Sequence, residues 1–296
     1  MACGLTLLNM RRDGAPRLAV KTEKGILDVA EASARLHMYA PLTVDELLQN
    51  EDGPSLNALV DAALQSDKCE FVDEQSIVYG PVLAHPEKIV CVGLNYRRHA
   101  KEVNLPIPQQ PVLFSKYNNA LEGHKNDIRL PVEVAHKFDY ETELVIVIGR
   151  TAKNVHEADA LSYVAGYCVG NDFSARDLQF DTGGQWLAGK TLDQFAPLGP
   201  YLVTADQINP DKLKIECRVN GEIRQSSNTD DFIFPSAQIV SYISRLITLR
   251  PGDIIFTDTP EGVILGYPKD KQVWLKPGDR LACSIEKLGE LSFALV

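Results

Sequence analysis

Residues Lys137 to Arg150, KFDYETELVIVIGR, decide how the rest of the chain is read. Leu144 to Ile148 is an unbroken run of apolar, strand-forming residues, so a strand here is buried on both faces. Side chains alternate across a strand, which puts Glu141 and Glu143 on one face with Val145 and Val147. Two readings of that pair are open. The carboxylates form a solvated strand end, shared with nearby Glu133 and Asp139, or they stand at a core boundary, where like charges are costly unless a cation lies between them. Hard oxygen donors favour Mg²⁺, Mn²⁺ or Ca²⁺ over zinc.

Outward from this strand the signal stays mostly β. Runs broken by Gly, Pro and Asp/Asn follow one another: IVCVGLN, PVLFSK, YVAGYCVGN, KIECRVNG, DIIFTDT, RLACSIEKLG and ELSFALV. Asn220-Gly221 between IECRV and EIRQS is a hairpin signal, and Pro277-Gly278-Asp279 marks another tight turn. Helical spacing predicts helices over Val155 to Leu161 and Ser236 to Leu246. The first part of the chain differs. LTLLNM, RLAVKTE and GILDVA read as short strands, and TVDELLQN and PSLNALVDAALQS as helices opened by Thr43 and Pro54. The expected layout is a small N-terminal α+β domain over residues 1–80, the linker YGPVLAHPEK, and a mainly β domain over 81–296 of barrel or sandwich type.

A formal charge of −10, with no Lys/Arg run beyond pairs, argues against nucleic acid and anionic membrane surfaces as partners. An anionic substrate then needs local positive charge or a metal. The six cysteines are scattered without a C-x-x-C, as expected of reduced thiols packed in a core. No apolar run approaches the roughly 18 residues of a membrane span, and the apolar stretch of MACGLTLLNMRR is too short for a secretory signal. The cytoplasm or the mitochondrial matrix is the expected compartment.

Several polar clusters lie beside apolar strands. Asp172, in NDFSARD directly after YVAGYCV, reads as a third carboxylate for a metal or, with Ser174, as a helix cap. Arg176 and Gln179 share a face with Asp172 if the segment is helical, and a cation with an amide donor suits a substrate carboxylate. Lys116 and Lys190 are further cations in apolar settings. His99 and Glu102, at i and i+3, form a surface ion pair or a general base whose tautomer the carboxylate holds; Pro106 and Pro108 follow, as in a mobile lid. H-E-x-x-H, G-x-S-x-G, P-loop and G-x-G-x-x-G motifs do not occur.

Taken in order, VGLNYRRHAKE, PVLFSK, DYETELVIVIG, GNDFSARD, WLAGKTLDQFAPLGP, RVNGEIRQSSNT, FTDTPEGV and LKPGD resemble the fumarylacetoacetate hydrolase family over residues 85–296. The resemblance implies a mixed β-sandwich roll and a homodimer. It implies Mg²⁺ or Mn²⁺ on Glu141, Glu143 and Asp172, and substrate contacts at Arg176, Gln179, Lys190 and, in the T-x-T-P loop, Thr259; Lys116, a cation in an apolar setting, is expected to contact substrate as well. Catalytic roles fall on His99, Glu102 and Lys190. Asp258 departs from the family pattern, standing where T-G-T-P has glycine. Family substrates are 2-oxo acids that react through a metal-stabilised enolate. Three reactions share it: acylpyruvate hydrolysis, oxaloacetate decarboxylation and keto-enol tautomerisation of oxaloacetate. One branch, matched through GKTLDQFAPLGP, CRVNGEIRQSSNT and CSIEKLGEL, points to the tautomerase, an isomerase. The contrasting expectation is a non-catalytic oxoacid-binding protein.

Overall fold

The apolar run becomes the strand Thr142–Ile148, buried along its whole length, as an alternation-free hydrophobic segment requires. In the computed structural model, which describes residues 1–181 and 183–296, this strand lies inside an eleven-stranded sheet. From one edge the order is Phe71–Val72, Gly25–Asp28, Ala15–Thr22, Thr6–Arg12, Ala196–Thr204, Val164–Asn171, Thr142–Ile148, Ile254–Phe256, Ile89–Gly93 and Val112–Lys116. The short Leu121–Glu122 pairs in parallel with Ala196–Thr204, and Ile254–Phe256 runs parallel to Ile89–Gly93. The N-terminal strands continue this sheet through Thr6↔Val203 and Leu7↔Leu202.

A second sheet, ordered Glu222–Asn228, Lys214–Val219, Arg280–Ile285 and Gly289–Ala294, packs across the two central strands Thr142–Ile148 and Val164–Asn171. The expected Asn220-Gly221 hairpin joins its first two strands, with both turn residues at positive φ as that turn demands. The architecture is therefore mainly β, two large face-packed sheets and a two-stranded ribbon of Phe138–Asp139 with Ser174–Ala175, with few helices among the described residues. The helix Ser236–Leu246 lies where its spacing predicts and turns its buried residues inward.

Three expectations need correction, and one strand lies where none was expected. Val155 to Leu161 does not form an α-helix; Glu157–Tyr163 is a 3₁₀ turn packed against Ser236–Leu246. The end of GILDVA is not strand, because Asp28 caps a helix over Val29–Leu36 by accepting from Ala30 N at 3.0 Å and Glu31 N at 3.3 Å. Ala196–Thr204 is a long strand despite Pro197, Gly199 and Pro200. It tolerates them because its pairing with Val164–Asn171 shifts register between Tyr167 and Val169, which relaxes the ladder. Finally, Asp172 is not on the helical turn with Arg176 and Gln179. That helix, Arg176–Asp181, begins four residues later, and Asp172 belongs to the strand end before it.

Candidate active site

Strand register assembles the acidic cluster. Thr142–Ile148 pairs with Val164–Asn171 so that Thr142 faces Asn171 and Glu143 faces Gly170. The next residue, Asp172, then falls beside Glu141 and donates its backbone N–H to Glu141 O at 2.9 Å. A Cβ on Gly170 would come within 2.6 Å of both Phe256 and Val145, so only glycine lets the strands close opposite Glu143. As a result, carboxylate oxygens of Glu141, Glu143 and Asp172 lie within 4.8 Å of one another, all three residues buried. The solvated reading therefore fails for this pair. Glu133 alone keeps it, exposed and 3.8 Å from Arg129.

Three buried cations close around the acids. Lys190 Nζ bonds Glu141 Oε2 at 2.6 Å and Asp172 Oδ2 at 2.8 Å, while Lys116 Nζ bonds Asp172 Oδ1 at 2.5 Å and Phe173 O at 3.2 Å. Arg176 spends three of its five N–H groups: Nε on Asp139 Oδ2 at 2.9 Å, Nη2 on Glu141 Oε1 at 2.6 Å, and Nη1 on Gln179 Oε1 at 2.9 Å. Burial opposes charge on Glu141, but Arg176 and Lys190 overcome it and hold this carboxyl below its ordinary range. Lys190 is likewise desolvated yet raised, by Asp172 and Glu141.

Glu143 is the exception. Its Oε2 accepts from Asp258 N at 2.9 Å, but the buried Oε1 has no hydrogen-bond partner. Burial, then the charges of Asp172, Glu141 and Asp258, push its pKa far up. Five buried carboxylates (Asp139, Glu141, Glu143, Asp172 and Asp258) face three buried cations (Lys116, Arg176 and Lys190). With all five ionised, the excess of two negative charges equals the charge of one divalent cation, and without that cation the cost falls on Glu143, whose pKa is driven up. An all-oxygen donor set with one orphaned oxygen fits a hard divalent ion.

His99 sits on the short helix Arg97–Glu102 and is 6% exposed, so a surface ion pair is excluded. Its Nδ1 lies 3.3 Å from Glu102 Oε2, and Glu102 also accepts from Gly262 N at 3.0 and 3.2 Å. Burial lowers the pKa of His99, but the bond to Glu102 and the charges of Asp258 and Glu141 prevail and raise it. A carboxylate on Nδ1 fixes that hydrogen there and leaves Nε2 as the reactive nitrogen. Thr259 is buried, with its hydroxyl hydrogen committed to Thr142 O at 3.0 Å and its oxygen accepting from Gln225 Nε2 at 2.8 Å.

Two residues escaped the sequence reading. Asp139 is fully buried and takes Ile264 N at 2.8 Å, Leu265 N at 3.0 Å and Arg176 Nε. The alternation that joins Glu141 to Glu143 extends back to it and was the available signal. Gln225 had none: it accepts from Thr142 N at 3.1 Å from a strand of the other sheet.

Comparisons with known proteins show the family and the fold. Residues 88–296 match the profile of the family described as fumarylacetoacetate (FAA) hydrolase C-terminal. The chain is 42% identical over 286 residues to the fumarylacetoacetate hydrolase domain-containing protein 2 homolog of Dictyostelium discoideum, covering 93% of this chain and 91% of that one. It is 41% identical over 251 residues to human oxaloacetate tautomerase FAHD2A, mitochondrial, covering 84% and 78% respectively. Among solved structures, maleylpyruvate hydrolase from Sphingobium sp. SYK-6, in complex with manganese(II) and pyruvate, superposes with a TM-score of 0.79 at 27% identity, covering 98% of each chain.

Proposed function

Because the chain belongs to the fumarylacetoacetate hydrolase family, we propose that it is a divalent-metal-dependent enzyme that interconverts the keto and enol forms of oxaloacetate. The observation that carries the reading is the buried cluster with two more carboxylates than cations, ringed by Lys190, Arg176, Gln179 and the His99–Glu102 pair. Glu141, Glu143 and Asp172 would hold Mg²⁺ or Mn²⁺, which supplies Lewis-acid stabilisation of charge developing on the 2-oxo oxygen.

The remaining chemistry falls to the chain's own side chains. Arg176 has two N–H groups left for a substrate carboxylate, and Gln179, its Oε1 already taken, adds the Nε2 donor. His99 Nε2 takes a proton from C3, and Glu102 holds the imidazole in the tautomer that permits it. Lys190, kept protonated by its neighbours, gives a proton to the 2-oxo oxygen. One C–H bond is lost and one O–H bond gained; after release of the enol His99 loses a proton to solvent and Lys190 takes one up, and the reverse path returns the keto form. Lys116 keeps the Asp172 carboxylate oriented, and burial keeps water from competing for the proton. Among the described residues no helix is long and apolar enough to cross a membrane, and we assign the chain to the mitochondrion, as its human relative is named.

Freshly dissolved enol oxaloacetate, followed by ultraviolet absorbance with Mg²⁺ or Mn²⁺ while a coupled assay reports pyruvate, tests the reading. Loss of the enol signal without pyruvate is the expected result. Pyruvate appearing in step would make the enzyme a decarboxylase. A rate no higher than the metal-only blank would overturn the oxaloacetate assignment and turn attention to acylpyruvate hydrolysis.

A further inference from the structure

The triad and the His99 helix come from distant parts of the chain, and Asp258 touches the structures that carry both. Its side chain is 5% exposed, and its φ of 84° lies in the left-handed region that penalises any residue with a Cβ. Its backbone N–H donates to Glu143 Oε2 at 2.9 Å, while its Oδ2 accepts from Asn95 N at 2.5 Å and Tyr96 N at 3.2 Å. Those two amides immediately precede the helix Arg97–Glu102, whose N-cap, Tyr96, provides no side-chain cap of its own.

The Asn95 side chain cannot take over, because it is spent on Phe234 N, Phe234 O and Thr257 O. At the far end of the same helix, Glu102 is gripped by Gly262 N, so one loop, residues 257–262, clasps the helix at both ends. A strained backbone kept at a buried position calls for a use.

We propose that Asp258 is a positioning residue for the reaction. Its backbone holds Glu143 and its carboxylate holds the start of the His99 helix, so it sets the separation between the triad and the imidazole that moves the proton. The assignment to catalysis rests on the function proposed above; the mechanical role does not. A reacting group displaced by about 1 Å can cost on the order of a hundredfold in rate, so a tether of this kind governs kcat more than KM.

Two variants and two readouts test it. Asp258→Gly relieves the backbone and folds, but loses the grip. Amide hydrogen exchange at residues 95–99 should rise about tenfold or more, and kcat for enol oxaloacetate with Mg²⁺ should fall roughly 10- to 100-fold while KM stays within about threefold. Asp258→Asn keeps an acceptor oxygen and tolerates this φ, so its exchange should stay within about threefold of the parent and it should recover most of the kcat lost in the glycine variant. Parent-like exchange in the glycine variant overturns the proposal. So does raised exchange at 95–99 in the asparagine variant, or an asparagine variant with parent-like exchange whose kcat falls as far as the glycine variant's. If the parent protein shows no turnover of oxaloacetate, the functional reading fails while the exchange contrast still decides the tether.

Discussion

Glu143→Gln separates a metal-ligand carboxylate from a merely buried one. The parent side chain is surrounded by Asp172, Glu141 and Asp258, and its Oε1 has no partner. Glutamine preserves the shape and cannot ionise. In chelator-treated protein near neutral pH the variant should therefore be more stable, by about 1–3 kcal/mol, because it does not carry the cost of a carboxyl whose pKa is pushed up on folding by burial and three neighbouring carboxylates. Unfolding entropy of roughly 2.1 cal/mol/K per residue over 296 residues converts this to a rise in Tm of about 2–5 °C. Metal addition should remove most of that difference or reverse it. At a hundredfold excess over Kd, bound metal stabilises by about 2.7 kcal/mol, or about 4 °C, in the parent and by little in the variant. The assay is a thermal melt monitored by circular dichroism with chelator and with Mn²⁺. A variant that gains as much from Mn²⁺ as the parent, or that is the less stable of the two in chelator, refutes the reasoning.

Three further outcomes follow from the geometry. Glu102→Gln removes the charge and weakens the hydrogen bond that help raise His99, so the acid limb of kcat/KM against pH, where the neutral base is lost, should move to lower pH; an unmoved limb separates His99 from that limb. Gly266→Ala would place a Cβ 2.3 Å from Glu102 Cδ, the end of a flexible side chain, so the protein should melt within about 2 °C of the parent yet lose about tenfold or more in kcat. Burial, with a smaller push from Lys125, lowers His124 from 6.5 to about 4, and its Nδ1 accepts from Ser292 N at 3.0 Å. Between those pH values the unfolded chain binds a proton that the folded one refuses, so stability is full above 6.5 and falls by roughly 2 kcal/mol toward 4, after discounting for partial solvent screening. His124→Asn, which keeps an acceptor and cannot titrate, should show a flatter Tm profile across that range; a parallel profile would sink the assignment.

Much of this protein is written in local pattern. Continuous apolar runs bounded by turn residues identify Thr142–Ile148 and Val164–Asn171 as buried strands, and Asn220-Gly221 identifies a hairpin, because these preferences belong to neighbouring residues. The same alternation puts Glu141 and Glu143 on one face, and the ordered family motifs place Asp172, Arg176, Gln179, Lys190, His99 and Glu102 around them. Local pattern does not reach everywhere. Pro197, Gly199 and Pro200 hide the strand Ala196–Thr204, because only a register shift in its partner makes a strand there tolerable. Asp139 reads like solvated Glu133, yet Arg176 and the amides of Ile264 and Leu265 converge on it. Asp258 reads as an anomaly until the amides of Asn95 and Tyr96, more than 160 positions away, arrive at its carboxylate. The composition and order of the chain determined the strands, the fold class and the kinds of residue available to the site. Tertiary structure alone decided which buried charges found partners, because desolvation and register are set by whatever segment packs on the other side.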